Sequence, residues 1–177
     1  MKRTFLCLLY LAASTAGATE PVPGQVVTLR GVLTDLTSGR SINLAEATAG
    51  RKTLLFFWST WCSSCAEKVP QMNARYRQFY GRDDLRFLSI CGDNGTEDAD
   101  LSDLTPEAAA KAYATKSRIR YPALFDTPAR RLTAGFFDQS FPNFFLLNGD
   151  GTVVASWNSA GGYEQFLAKL RPRRTSV

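Results

Sequence analysis

The run Thr53-Leu54-Leu55-Phe56-Phe57-Trp58 constrains this chain more than any other feature. It carries no charge, is rich in large apolar side chains, and is bounded by Gly50-Arg51-Lys52 ahead and Ser59-Thr60 behind. Such a run predicts a strand buried on both faces. The period then changes: beyond Cys62, the residues Val69, Met72, Tyr76 and Phe79 fall at offsets of three, four and three, one face of a helix. Pro70 sits inside that helix and is expected to kink it, because it lacks an N–H and its ring crowds the preceding turn. Gly81 to Asp84 close the helix, and Leu85 to Cys91 read as a second buried strand. A strand, a crossover helix and a strand call for a layered α/β domain.

The remaining segments are arranged around that unit. Val26 to Leu33 and Ser41 to Leu44, separated by the turn residues Asp35, Ser38 and Gly39, predict a β-hairpin. Gly92 to Asp103 is an acidic loop containing Asn94-Gly95. Thr105-Pro106-Glu107 has an N-cap hydroxyl, a proline at the first position and an acid in the first turn, so a helix starts there and runs to about Ser117. Tyr121 to Asp126 is a short extended piece, and Pro128 to Phe137 hold one further helical turn. Asn143 to Leu147, the turn Asn148 to Gly151 and Thr152 to Trp157 form a second hairpin. Phe166, Leu167 and Leu170 mark a terminal helix. The expected fold is a central mixed β-sheet flanked by helices, with an N-terminal β-hairpin and a small helical insertion.

At 177 residues the chain has material for one sizeable core and not for two. Its net charge is +5, but the basic residues are scattered apart from Arg130-Arg131 and the terminal Arg171, Arg173 and Arg174. No basic run is interleaved with stacking aromatics, which argues against nucleic acid. Lys2 and Arg3, the apolar Phe5 to Ala13 and the small residues of Ala16-Gly17-Ala18 have the form of a cleavable export signal. Residues 1–18 are therefore read as a leader, 19–25 as an extended lead-in, 26–171 as one domain and 172–177 as a basic tail. The alternative is an uncleaved membrane anchor, although the apolar run is about half the ~20 residues a bilayer requires. Cys7 leaves with the leader, so Cys62, Cys65 and Cys91 remain, an odd number in a disulfide-permissive setting.

Two thiols separated by two residues can close a small ring when the first lies at a helix start. Unpaired N–H groups at that end favour thiolate, which makes Cys62 the expected nucleophile. Cys65, one turn in, is placed to resolve the mixed disulfide that Cys62 forms with a client. Zinc uses the same spacing but needs about four ligands. A chain without histidine and with one further mature cysteine does not supply them. No metal is expected, and the cofactor is the redox-active disulfide Cys62–Cys65 itself. Cys91, closing a predicted strand, reads as a buried small hydrophobe.

These motifs resemble the thioredoxin superfamily and, within it, the TlpA/ResA/DsbE-like exported thiol-disulfide oxidoreductases. The resemblance rests on Phe57-Trp58-Ser59-Thr60-Trp61-Cys62-Ser63-Ser64-Cys65, on Pro70, and on Phe141 to Leu147 with the turn Asn148-Gly149-Asp150-Gly151. It spans about residues 25 to 170. The resemblance implies a cis bond before Pro142 and a client-binding surface made by Trp61, Ser63, Ser64, Phe141 and Pro142. It further implies a periplasmic reductase of exported proteins, with cytochrome c maturation or metal-site assembly as its settings, recharged by a membrane thiol donor. Two departures stand out. Phe56 occupies the place of the buried acid of thioredoxins, and Lys68 stands where many relatives carry Glu. Glu67, one place earlier, is then the candidate site acid, although one residue on a helix turns a side chain by about 100°.

The same pair could serve an oxidase or isomerase, because direction depends on the relative stability of dithiol and disulfide. A thiol peroxidase shares the fold but needs Thr-x-x-Cys, where Ser59-Thr60-Trp61-Cys62 offers serine. A non-catalytic module with a permanent disulfide is the remaining alternative.

Overall fold

The computed structural model describes residues 20–92, 103–126, 141–158 and 162–170. The leader, most of the acidic loop, the helical turn read at Pro128 to Phe137 and the basic tail lie outside them. The buried run forms β3 (Lys52–Trp58), and the helix with Val69 and Met72 on its inner face is α2 (Ser63–Phe79). Before them come β1 (Val32–Asp35), β2 (Ser41–Asn43) and α1 (Leu44–Thr48). After them come β4 (Leu85–Cys91), α3 (Pro106–Lys116), β5 (Ala123–Phe125), β6 (Asn143–Leu147), β7 (Val153–Trp157) and α4 (Tyr163–Ala168). Seven strands form one mixed sheet in the order β2-β1-β5-β4-β3-β6-β7. Strands β3, β4 and β5 are parallel, while β1, β6 and β7 pair antiparallel with their neighbours.

The central position of β3 follows from its composition. Period-2 alternation sends Leu54, Phe56 and Trp58 to one face and Leu55 and Phe57 to the other, each in its own apolar cluster. Burying one such side chain contributes roughly 1.5–3 kcal/mol, so a strand with apolar groups on both faces is stable only inside the sheet. Helix α2 lies over the first face through Cys65, Val69 and Met72. Pro70 does not end it, and the helix continues to Phe79. Helix α3 begins as its signals predict, the Thr105 hydroxyl accepting from the Ala108 N–H at 3.3 Å.

The N-terminal hairpin forms, β1 pairing antiparallel with β2, but its first strand starts later than expected. Val26 makes only an isolated bridge to Thr152, and the first strand begins at Val32. Gly31, at φ 108°, breaks the expected strand with a backbone that side-chain-bearing residues rarely adopt. The segment ahead of it is drawn to β7 instead: Gly24 N–H donates to Val153 O, Val153 N–H to Gln25 O and Val27 N–H to Gly151 O, at 2.8–3.0 Å. Leu44 starts a helix rather than ending a strand, because the Asn43 side chain accepts from the N–H groups of Ala45 and Glu46 and donates to the Glu46 carboxylate. This is a reciprocal cap.

Candidate active site

Antiparallel register between β3 and β6 sets the site. Phe57 faces Asn143, so the residues following β3 and those preceding β6 meet at one end of the sheet. The first group is Ser59 to Cys62 and the second is Phe141-Pro142, whose peptide bond is cis. Trp61 and Phe141 join them, their rings in edge-to-face contact with centroids 5.6 Å apart. Trp61 remains 42% exposed, a large apolar surface beside the thiols.

Cys62 is the N-cap of α2. Its backbone is extended, its carbonyl accepts from Cys65 and Ala66, and its sulfur accepts from the Cys65 N–H at 3.1 Å. The two cysteines are closed as a disulfide with Cα atoms 5.2 Å apart. Their exposures differ in the sense that divides the roles, 6% for Cys62 and 1% for Cys65. When the bond opens, the N–H and the helix dipole that face the Cys62 sulfur favour its thiolate. Cys65 is covered by its own helix and has access chiefly to Cys62.

Of the other residues singled out by sequence, Ser63 and Ser64 are exposed on the first turn of α2, Phe141 is half-buried and Pro142 is buried. Glu67 is exposed on the outer side of α2. Lys68 takes the inward position, its ammonium 4.3 Å from the Tyr163 ring centre and 5.2 Å from that of Trp157. Burial, then the Glu164 charge, pushes the Tyr163 phenol above its usual range, so that ring stays neutral beneath the cation. Phe56 is fully buried and stacked on Phe144 at 4.5 Å. Cys91 is fully buried at the end of β4.

Three buried polar residues behind the site escaped the sequence reading. Ser59 and Asn143 are both 0% exposed, and neither the serine hydroxyl nor either polar atom of the amide has a hydrogen-bond partner among the described residues. Each such group left unpaired costs about 1–3 kcal/mol. Asp126, 2% exposed, follows β5 and is held by its N–H to the Cys91 carbonyl. Asn143 pairs with Phe57 and so lies on the sheet face opposite α2, while Ser59 and Asp126 directly follow β3 and β5. A visible signal existed for Asn143 and Asp126, since each is the single polar residue bounding an otherwise apolar strand.

The sequence pattern of the AhpC/TSA family matches residues 27–156. The chain is 28% identical over 144 residues to "Thiol-disulfide oxidoreductase ResA" of Bacillus thuringiensis strain Al Hakam, covering 80% of this chain and 75% of that one. Among solved structures it superposes on StoA from Bacillus subtilis with a TM-score of 0.63 at 18% identity, over 83% of this chain and 100% of the other. It also superposes on the thioredoxin domain of a thiol-disulfide oxidoreductase from Bacteroides vulgatus with a TM-score of 0.65 at 16% identity, over 84% and 97%. At these identities the structural matches speak for the fold, which is thioredoxin-like.

Proposed function

Because the chain belongs to the AhpC/TSA family of thioredoxin-like proteins, we propose that it is an exported thiol-disulfide oxidoreductase that reduces disulfides of periplasmic client proteins through Cys62 and Cys65. The observation that carries this is the disulfide pair at the start of α2, the Cys62 sulfur at the N-cap accepting from the Cys65 N–H and slightly more accessible than Cys65 behind it. The Cys62 thiolate attacks one client sulfur, a mixed disulfide forms, and the other client sulfur leaves as thiolate. Cys65 then loses its proton and attacks the Cys62 sulfur, expelling the second client thiolate. Two electrons have passed to the client, and the protein is left as the Cys62–Cys65 disulfide, to be reduced again by a membrane thiol donor. Trp61, Ser63, Ser64, Phe141 and Pro142 form the surface against which the client chain lies.

Export rests on the leader motif and on the resemblance to exported enzymes. Among the described residues no helix is long and apolar enough to cross a membrane. The reductive direction likewise rests on the resemblance. A peroxidase role gains nothing from the site: Ser59, the counterpart of the required threonine, is fully buried and presents no hydroxyl to a peroxide at the thiols.

The test is to equilibrate the purified protein against defined thiol/disulfide buffers. A potential near about −270 mV or lower supports the reductase, and one near about −120 mV makes the protein an oxidant. Cys65→Ala is expected to accumulate a mixed disulfide that Cys62→Ala never forms. Loss of neither reaction in Cys62→Ala would identify a non-catalytic module.

A further inference from the structure

The resolving step asks a buried thiol to ionise, and no carboxylate stands beside it to take the proton. Cys65 is 1% exposed, and burial opposes the charged form that must attack Cys62. Among the described residues the buried carboxylates are Asp35 and Asp126. Both lie across β4 from β3, and Asp35 already accepts from the hydroxyls of Thr37 and Ser38. Phe56, in the same buried cluster as Cys65, offers only a ring. Glu67 is exposed two residues beyond Cys65, and side chains at that spacing do not face each other on a helix.

Lys68 is the first charged residue on the side of α2 that Cys65 occupies. Residues three apart on a helix are neighbours, with about 5–6 Å between their Cβ atoms. A long helical side chain lies back over the turn before it, which here carries Ser64 and Cys65. The rings that receive the ammonium agree with this placement. Trp157 is the last residue of β7 and pairs with Phe144, two residues beyond Pro142 at the thiol end of β6. Tyr163 opens α4, and the Lys68 ammonium lies 4.3 Å from its ring centre and 5.2 Å from that of Trp157. Both rings are neutral, so they hold the cation without cancelling its charge. The carboxylates around this corner face other groups: Glu164 faces Arg75 at 3.8 Å, and Glu20 accepts from Asn158 Nδ2 at 3.0 Å. Glu67 and Glu164 are exposed, where water and salt screen them, whereas Lys68 is half-buried.

We propose that Lys68 is a positioning residue acting through Cys65: its ammonium, held by Trp157 and Tyr163, favours the Cys65 thiolate, so the buried thiol ionises without a carboxylate base. The proton passes to solvent water. The Cys65 thiolate then bonds to the Cys62 sulfur, and the client sulfur leaves with the electron pair of the broken bond. In the reverse direction the same charge favours Cys65 as the leaving thiolate. The inference rests on the reading of Cys65 as the resolving thiol.

The test is stopped-flow reaction of the reduced protein with dithiobis(nitrobenzoate), read as nitrothiobenzoate absorbance across pH. The first release reports attack by Cys62, and the second reports Cys65 expelling the group left on Cys62. Lys68→Met keeps an apolar stem on the rings and removes the charge. Its second release should slow about tenfold near neutral pH, with a midpoint about one unit higher, and meet the parent rate in alkali. Lys68→Arg should stay within about twofold of the parent, because a guanidinium also sits well on aromatic faces. Lys68→Glu should slow the second release further than Lys68→Met. An unchanged pH midpoint in both Lys68→Met and Lys68→Glu would overturn the proposal. So would a slowing that is equal at every pH, which marks a displaced helix and not a missing charge. Cys65→Ala should lack the second release; if it keeps it, the exchange reading itself fails and this proposal with it.

Discussion

The two faces of the sheet are filled with different material. Beneath α2, α3 and α4, the side chains of Phe56, Trp58 and Phe144 meet Tyr113, Tyr121, Trp157 and Phe166. On the opposite face, Leu55, Leu88, Ile90 and Leu124 meet Leu29, Leu33 and Leu44, with Phe57 and Phe145 as the buried rings among the described residues. Aliphatic packing asks mainly for the right volume, whereas rings also prefer particular mutual angles. The helix carrying the thiols thus rests on the face where orientation is specified. Trp58 strengthens this, since its indole N–H donates to the Ser89 hydroxyl at 3.2 Å, and that hydroxyl donates to the Pro122 carbonyl at 3.1 Å. One buried chain of polar groups therefore ties β3 and β4 to the entry of β5.

The sharpest way to break this contrast is to remove adjacent side chains from the two faces. Phe56→Ala is expected to cost about 3–5 kcal/mol in urea unfolding and to slow thiol exchange in the protein that remains folded, because Cys65 and Val69 share its cluster. Leu55→Ala should cost about 2–5 kcal/mol and leave exchange by the folded fraction unchanged. Equal slowing by both would show that the ring face has no special hold on the thiols.

A second contrast is in pH. Burial raises the Tyr121 phenol far above its ordinary value, and Tyr113 and Tyr163 shift in the same direction for the same first reason. All three pack with the ring face. A phenol held neutral only in the folded state contributes stability that is intact below about pH 10 and is lost as pH rises beyond it. For Tyr121 the loss should approach ~1.4 kcal/mol per pH unit, seen as a falling denaturation midpoint. Tyr121→Phe should flatten that fall and cost nothing at pH 7, because its hydroxyl has no partner among the described residues.

Smaller effects sharpen the picture at the margins. Ser59→Ala should be neutral or stabilising by up to about 1 kcal/mol by thermal unfolding, since it deletes a buried hydroxyl without a partner among the described residues. A clear loss would mean that the hydroxyl has a partner in solution. Asp84→Asn, at a pair whose carboxylate side is 69% exposed, should change stability by less than about 0.5 kcal/mol. The hydrogen bond from Arg82 lowers the Asp84 pKa, so this small contribution is present at neutral pH and disappears as acid titrates the carboxylate.

Much of this architecture is legible in the sequence where one physical signal dominates. The apolar run at β3, the helical spacing of Val69 and Met72 and the Thr105-Pro106 start each reflect a local cause, and the thiol pair declares itself by spacing. The first strand of the N-terminal hairpin starts later than its composition suggests, because residues 24–27 bond instead to the start of β7, more than a hundred residues along the chain. Helix α1 was missed because Asn43-Leu44 continues an alternating pattern, and the capping role of Asn43 shows only through Glu46. The burial of Ser59 carries no sequence period at all; it arises from where β3 ends, which depends on tertiary register.

The attachment of residues 24–27 to β7 has a consequence for solubility. Strand β7 is the last in the sheet, and its outer side would otherwise offer a row of backbone donors and acceptors to any extended chain. The lead-in occupies that row, from the Glu20 contact with Asn158 to the Val27 bond with Gly151. Pro21 and Pro23 contribute no N–H to its own outer rim. The opposite border is β2, only three residues long. Proteolytic trimming past Gln25 is expected to expose the β7 border to edge-to-edge pairing with other extended chains.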